Sequence, residues 1–291
     1  MINHNIKNIS ASVKARLLNL ARNTHRRFDE LLQYYGIERF LYRLSISKYK
    51  NVFIIKGALL LKVWEIADAR ATRDIDTLAR TSNSLENIIK IIKELCEISS
   101  SINDGIDFIS SSVKGEKMQL QKEYEGIRIQ FEGYMELTKI PMQIDIGFGD
   151  IVTPDPKDFQ YPTLLDFPIP KIKIYPQETL LAEKILTMIE KGDANSRIKD
   201  FYDVWLLFRQ KQFSYDILKL ALKRTAEYRK VKYNFEIIQT VIERYSKKSL
   251  TEILWKNFKR KIPKINQDLP FYVLTKELSK NNLNISRYIV T

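Results

Sequence analysis

Two aspartates one residue apart, Asp74 and Asp76 in "RATRDIDTLAR", raise the question of chemistry. In an extended strand alternate side chains share a face, so the two carboxylates point the same way and Ile75 points oppositely. Asp145 in "QIDIGFGD" repeats the pattern between Ile144 and Ile146. If the Asp145 strand pairs beside the first, three carboxylates converge on one patch. Like charges that close demand neutralisation. Oxygen-only donors select Mg²⁺ or Mn²⁺, and carboxylate-held Mg²⁺ usually serves phosphate chemistry. Asp74, Asp76 and Asp145 are therefore candidate metal ligands and catalytic acids.

By itself a D-x-D pair reads as a solvated strand face. The flanking residues change that. Gly57 is expected to open a helix over "ALLLKVWEIA", and a helix N-terminus binds phosphate. Lys56, Arg70, Thr72 and Arg73 lie just before that helix or just before the aspartates. With Gly57 they form a candidate nucleoside-triphosphate site. Further on, Lys184 falls within the apolar stripe Leu180, Leu181, Ile185, Met188 and Ile189. A lysine on a buried face must find an anion or lose its charge. Arg197, Asp200 and Asp203 follow at helical i, i+3 spacing. This second cluster is expected to face the carboxylates across a cleft between two halves, touching nucleotide or assisting proton transfer.

Positioning these groups requires a mixed architecture. Stripes at Ile9, Val13, Leu17 and Leu20, and at Phe28, Leu31, Leu32 and Tyr35, predict N-terminal helices broken at Gly36. "NVFII", "DIDTLA", "GIRIQFEGY" and "IPMQIDIGFGD" read as strands. "NSLENIIKIIKELCEI" reads as a helix with Asn83 and Glu86 at capping-box spacing. Six of the nine prolines fall between Thr153 and Pro176, which predicts an extended connector. Beyond it the pattern is helical. The expected fold is α+β. Its parts are N-terminal helices plus a core with a small mixed sheet (1–152), a proline-rich connector (153–175) and a helical C-terminal lobe (176–291).

Composition narrows the chemistry. The chain has one cysteine, Cys96, and two histidines, His4 and His25, which argues against zinc and histidine chemistry. No apolar run reaches the roughly 20 residues of a membrane span, and the start lacks the pattern of a secretory signal, so a cytoplasmic location is expected. Net charge is +13. Residues 214–264 hold 14 Lys plus Arg against 5 Asp plus Glu, interleaved with Tyr215, Tyr228, Tyr233, Phe235, Tyr245 and Phe258. Basic surface with aromatics suits nucleic acid. Lys223, Arg224, Arg229 and Lys230 are the expected RNA contacts.

Five segments in order, "FIIKGALLLKVW", "RATRDIDTLAR", "QIDIGFGDIVTPDP", "YPTLLDFPIPKIKIYPQETLLAEK" and "NSRIKDFYD", resemble the AbiEii/AbiGii nucleotidyltransferase-like toxins of type IV toxin–antitoxin and abortive-infection (phage defence) systems. The resemblance implies a DNA-polymerase-β-like nucleotidyltransferase core, a nucleoside triphosphate substrate and Mg²⁺. It also implies a separate antitoxin acting without a tight complex, and transfer to the 3′ end of tRNA in some relatives. On matching positions, Thr72 precedes the first metal aspartate, Asp74 and Asp76 fill the D-x-D pair, and Lys184 fills the "AEK" lysine. Asp200 or Asp203 fills the last acidic position. One departure is Gly57-Ala58, where polymerase-β-like enzymes often carry Gly-Ser. The leading reading is Mg²⁺-dependent nucleotide transfer to RNA. The alternatives are nucleotidylation of a protein hydroxyl and a non-catalytic nucleotide- or RNA-binding module.

Overall fold

The computed structural model describes residues 8–289 except 67, 101, 122–123, 192–197, 211, 248, 261 and 263–265. Seven strands and ten helices form among the described residues, a mixed α+β fold. The chain divides into two units. The sheet unit comprises the chain up to Leu59, Thr72–Gly149 and Asp158–Ile174. The helical unit comprises Leu60–Ala71, Asp150–Lys157 and the chain from Tyr175 onward.

The sheet unit begins with α1 (Ile9–Thr24) and α2 (Phe28–Ile46). Asn8 caps α1 by accepting the Ala11 N–H at 2.9 Å. The strands are β1 (Phe53–Lys56), β2 (Ile75–Ala79), β3 (Asp107–Gln121), β4 (Tyr124–Met135), β5 (Thr138–Phe148), β6 (Lys157–Gln160) and β7 (Lys171–Ile174). They form one sheet in the order β3-β4-β5-β2-β1-β7-β6. β2 runs parallel to β5 and β1 parallel to β7, while β1–β2, β3–β4 and β4–β5 are antiparallel. Helix α4 (Leu85–Cys96) packs on β3.

Three expectations are corrected here. Gly36 does not end a helix; it lies inside α2, which runs unbroken through it. A Cβ at Gly36 would stand 3.0 Å from Ile140 Cγ2, so the missing side chain lets α2 lie close on β5. The α4 cap is Ser84, whose hydroxyl accepts the Asn87 N–H at 3.1 Å, and not Asn83. The proline-rich stretch, expected as an extended connector, lies partly in the sheet: β7 within it hydrogen-bonds to β1, and Pro168 O accepts from Arg39 of α2 at 2.7 Å.

In the helical unit the principal helices are α5 (Gln177–Lys191), α6 (Ile198–Gln210), α7 (Tyr215–Arg229), α8 (Phe235–Lys247), α9 (Ser249–Lys259) and α10 (Phe271–Ile289). Aromatic side chains build its core. Trp205, Tyr202, Phe201, Trp255 and Phe271 are buried in mutual edge and tilted contacts. Both buried indoles find acceptors, Trp205 on Glu277 at 2.6 Å and Trp255 on Leu269 O at 2.8 Å.

The helix expected over "ALLLKVWEIA" is only α3 (Leu59–Val63), five residues long. Its end has a physical cause. Ile66 N–H bonds Leu61 O and Glu65 N–H bonds Lys62 O, both at 2.9 Å, with Glu65 left-handed at φ 52°. That is the hydrogen-bond pattern of a Schellman motif, which turns the chain out of the helix.

Candidate active site

The register of the sheet unit assembles a row of charged side chains. Lys56 of β1 is opposite Asp76 of β2, and Asp76 is beside Asp145 of β5. Asp145 is opposite Arg128 of β4, and Arg128 is opposite Glu116 of β3. Ile75, Ile127, Ile129, Ile144 and Ile146 take the other face and are buried. The alternation is set by the strand period, so the apolar face cannot enter the core without turning this row outward. Asp74 immediately precedes β2 and is near enough to Arg128 for its charge to act on that guanidinium.

Helix α2 fixes the chain just before Asp74. The Gln33 Nε2 group donates to the carbonyls of Arg73 (3.3 Å) and Pro141 (2.9 Å), and Tyr34 Oη accepts the Thr72 N–H at 3.1 Å. Gln33 and Tyr34 are not expected at the site; nothing in their spacing marks them. The Arg73 guanidinium reaches out to Asp29 at 3.1 Å.

Gly57 plays a different part from the one expected. Its φ is 71°, and a Cβ there would lie 2.1 Å from Asp76 Oδ2. Glycine is required because the Asp76 carboxylate presses against its Cα. The helix that follows Gly57, expected to offer a phosphate cradle, is α3, one turn long.

The expected three-carboxylate metal set is also corrected. Asp145 lies beside Asp76, yet both its oxygens hold Arg128: Nε donates to Oδ1 at 2.8 Å and Nη2 to Oδ2 at 2.7 Å. Gln143 Nε2 adds a third donor on Oδ1 at 3.3 Å. The Asp145 carboxylate holds the Arg128 guanidinium above its ordinary pKa; burial opposes this and Asp74 reinforces it. Among the described residues no group of three Asp, Glu, His or Cys side chains is placed to hold a metal ion. Asp74 and Asp76 remain a suitable oxygen-donor pair. Counting Asp74 and Glu116, the row has four carboxylates against two cations, an excess of negative charge that suits a divalent ion.

Lys184, Asp200, Asp203 and Arg70 come together within the helical unit. The Lys184 Nζ group donates to Asp200 at 3.1 Å and Asp203 at 2.7 Å. Arg70 forks onto Asp203 at 2.9 and 3.0 Å. Arg70, expected at a triphosphate, thus already holds a carboxylate. All four are nearly enclosed, Asp203 completely. Burial alone would push the Lys184 ammonium down, but Asp203 and then Asp200 hold it above its ordinary value. Burial alone would push the Asp203 carboxyl up, but Lys184 and Arg70 hold it down. Arg197 lies outside the described residues.

The basic segment is split by the fold. Lys223, Arg224 and Lys230 are exposed. Arg229, expected on RNA, is instead 7% exposed and paired with Glu183 and Glu190 at 3.5 Å. Tyr245 is buried against Phe201, and Phe258 packs on Tyr202 and Trp255. Those two aromatics serve the core, which removes them from the expected stacking platform.

Residues 39–273 match the family model described as the nucleotidyl transferase AbiEii toxin of type IV toxin–antitoxin systems. The chain belongs to the AbiEii family. As an AbiEii-family member it is a nucleotidyltransferase, with a nucleoside triphosphate as substrate class and an antitoxin as family partner. No curated protein matches the chain. Among solved structures it is similar to JHP933 from Helicobacter pylori, at 12% identity and TM-score 0.48 over 86% of this chain and 89% of that one. It is also similar to a second H. pylori structure, at 12% and 0.49 over 86% and 92%. A nucleotidyltransferase-like protein from Paracoccidioides brasiliensis gives 14% and 0.33 over 61% and 80%. Among the described residues no helix is long and apolar enough to cross a membrane.

Proposed function

We propose that this AbiEii-family chain transfers a nucleoside monophosphate from a nucleoside triphosphate to the 3′ end of tRNA, with Mg²⁺ (or Mn²⁺) as its ion. The observation that carries the reading is the cross-strand register that sets Asp76 between Lys56 and Asp145, with Asp74 two residues before Asp76 in the chain. Asp74 and Asp76 would hold the ion. When bound, that ion supplies charge neutralisation and alignment for a phosphoryl group.

The chain's own residues do the rest. Gly57 leaves the space that the Asp76 carboxylate occupies. Gln33 and Tyr34 hold the backbone that presents Asp74. Lys56, beside Asp76, contributes positive charge for a phosphate oxygen. Lys184 is held by Asp200 and Asp203 within the helical unit. Exposed Lys223, Arg224 and Lys230 take the RNA backbone, and the antitoxin acts without a tight complex.

Incubation with each labelled nucleoside triphosphate, Mg²⁺ and total RNA tests the proposal. Label is expected on tRNA and is lost in Asp74→Ala and Asp76→Ala. Label on a protein instead would replace the acceptor. Binding of nucleotide without any transfer would leave a non-catalytic module.

A further inference from the structure

The mismatch between the expected metal set and the observed one carries an inference about how the site balances its charge. We propose that the site holds a single divalent ion, on Asp74 and Asp76, and that Arg128 stands in place of a second one, fixed there by Asp145 as its positioning residue. The inference rests on the nucleotidyltransferase reading above.

A carboxylate that ligates an ion must offer it a lone pair in an unobstructed direction. Asp145 Oδ1 already accepts from Arg128 Nε and from Gln143 Nε2, and Oδ2 accepts from Arg128 Nη2. A fork-to-fork pair of this kind is planar and directional, and an ion at Asp145 would have to displace a guanidinium that already neutralises it. The pair is also built into the sheet. Arg128 and Asp145 are directly opposite in the β4–β5 register, so the backbone ladder holds them together before any ligand arrives. Arg128 lies a third exposed and Asp145 less, so the pair borders solvent and is not enclosed in the core.

Asp74, Asp76, Asp145 and Glu116 present four carboxylates along neighbouring strands, with Lys56 and Arg128 as the cations. Without Arg128 the row would carry a net charge of about −3, which one divalent ion leaves about one unit short of neutrality. With it, one ion on Asp74 and Asp76 suffices. Two of the Arg128 N–H donors serve Asp145, leaving its Nη1 group to a phosphate oxygen of the bound nucleotide.

The test counts ions. Mn²⁺ binding is measured by electron paramagnetic resonance on the full chain, with a non-hydrolysable nucleoside triphosphate analogue and without it. Wild type is expected to take one Mn²⁺ per chain. Asp145→Asn is expected to keep that ion, since it removes no ligand. Asp76→Asn loses the ion. Arg128→Gln unmasks Asp145 and gains a second Mn²⁺, whereas Arg128→Lys, which keeps the charge, does not. Melting temperatures establish that each variant is folded, and Asp145→Asn and Arg128→Lys keep the experiment decisive should Arg128→Gln not fold. Two ions in wild type, falling to one in Asp145→Asn, would overturn the inference while leaving nucleotide transfer intact. Wild type that binds neither Mn²⁺ nor the analogue would overturn the nucleotidyltransferase reading itself.

Discussion

The sheet unit and the helical unit each gather charged side chains, and they treat them in opposite ways. In the helical unit Arg70, Lys184, Asp200 and Asp203, two cations and two anions, are joined by ion pairs and nearly enclosed. In the sheet unit the row of Lys56, Asp76, Asp145, Arg128 and Glu116, joined by Asp74, borders solvent and carries an excess of carboxylates. An enclosed, paired set has its electrostatic work done when the chain folds. A half-open row with more carboxylates than cations can take a further cation. The difference separates residues whose loss unfolds a unit from residues whose loss silences it.

The largest effect is expected where the closed set is broken. Lys184→Met leaves two buried carboxylates with one guanidinium, and should cost about 3–5 kcal/mol in urea denaturation, with activity falling alongside. An unchanged midpoint would mean the network is not structural. Asp76→Asn should do the reverse: transfer drops by a factor on the order of 10²–10³ while the denaturation midpoint stays within about 0.5 kcal/mol of wild type. Gly57→Ala should cost roughly 1–2 kcal/mol from the left-handed backbone alone, and should lower transfer as well because the new methyl displaces the Asp76 carboxylate.

Acidity probes the same contrast. Asp203 has its pKa depressed in the folded state, so its contribution is present above the unfolded value of about 4 and is lost as pH falls through the folded value. Lys184 has its pKa raised, so its contribution is present below about 10 and is lost as pH rises through the folded value. Stability of the helical unit should therefore be level between those limits and fall outside them. A steep change near neutrality would point to a different titrating group.

The smallest effects belong to the surface. Lys223→Glu with Arg224→Glu should weaken RNA binding and reduce its salt slope by about one for each phosphate no longer neutralised, with no change in folding. Arg229→Ala should instead destabilise, because it removes a buried cation paired with Glu183 and Glu190. If Arg229→Ala altered only RNA binding, the division between closed and open charge would fail there.

Much of the site is legible along the chain, and the illegible parts share a cause. The shared face of Asp74 and Asp76 and the outward turn of Asp145 follow from strand alternation, a property of adjacent residues. Arg128 alternates just as clearly with Ile127 and Ile129, but nothing local marks it as the partner of Asp145, because that depends on β4 and β5 meeting in one register. β3 is hidden because its polar run "SSVKGEKMQLQ" shows little alternation, and β7 because prolines surround it. Apolar content overstates the length of α3, since it does not reveal the left-handed turn at Glu65. Arg229 looks like its basic neighbours, and only packing sets it against two glutamates.

Residue order alone establishes which side chains share a face, the α+β succession of elements and, through five ordered segments, the family. Periodicity carries that information because it depends on bonds between neighbours. Folding in three dimensions selects who neutralises whom: Lys184 with Asp200 and Asp203, Arg70 with Asp203, Arg128 with Asp145. Side-chain electrostatics acts over a few ångströms in space, and only the pairing of distant strands and helices brings those partners within that range.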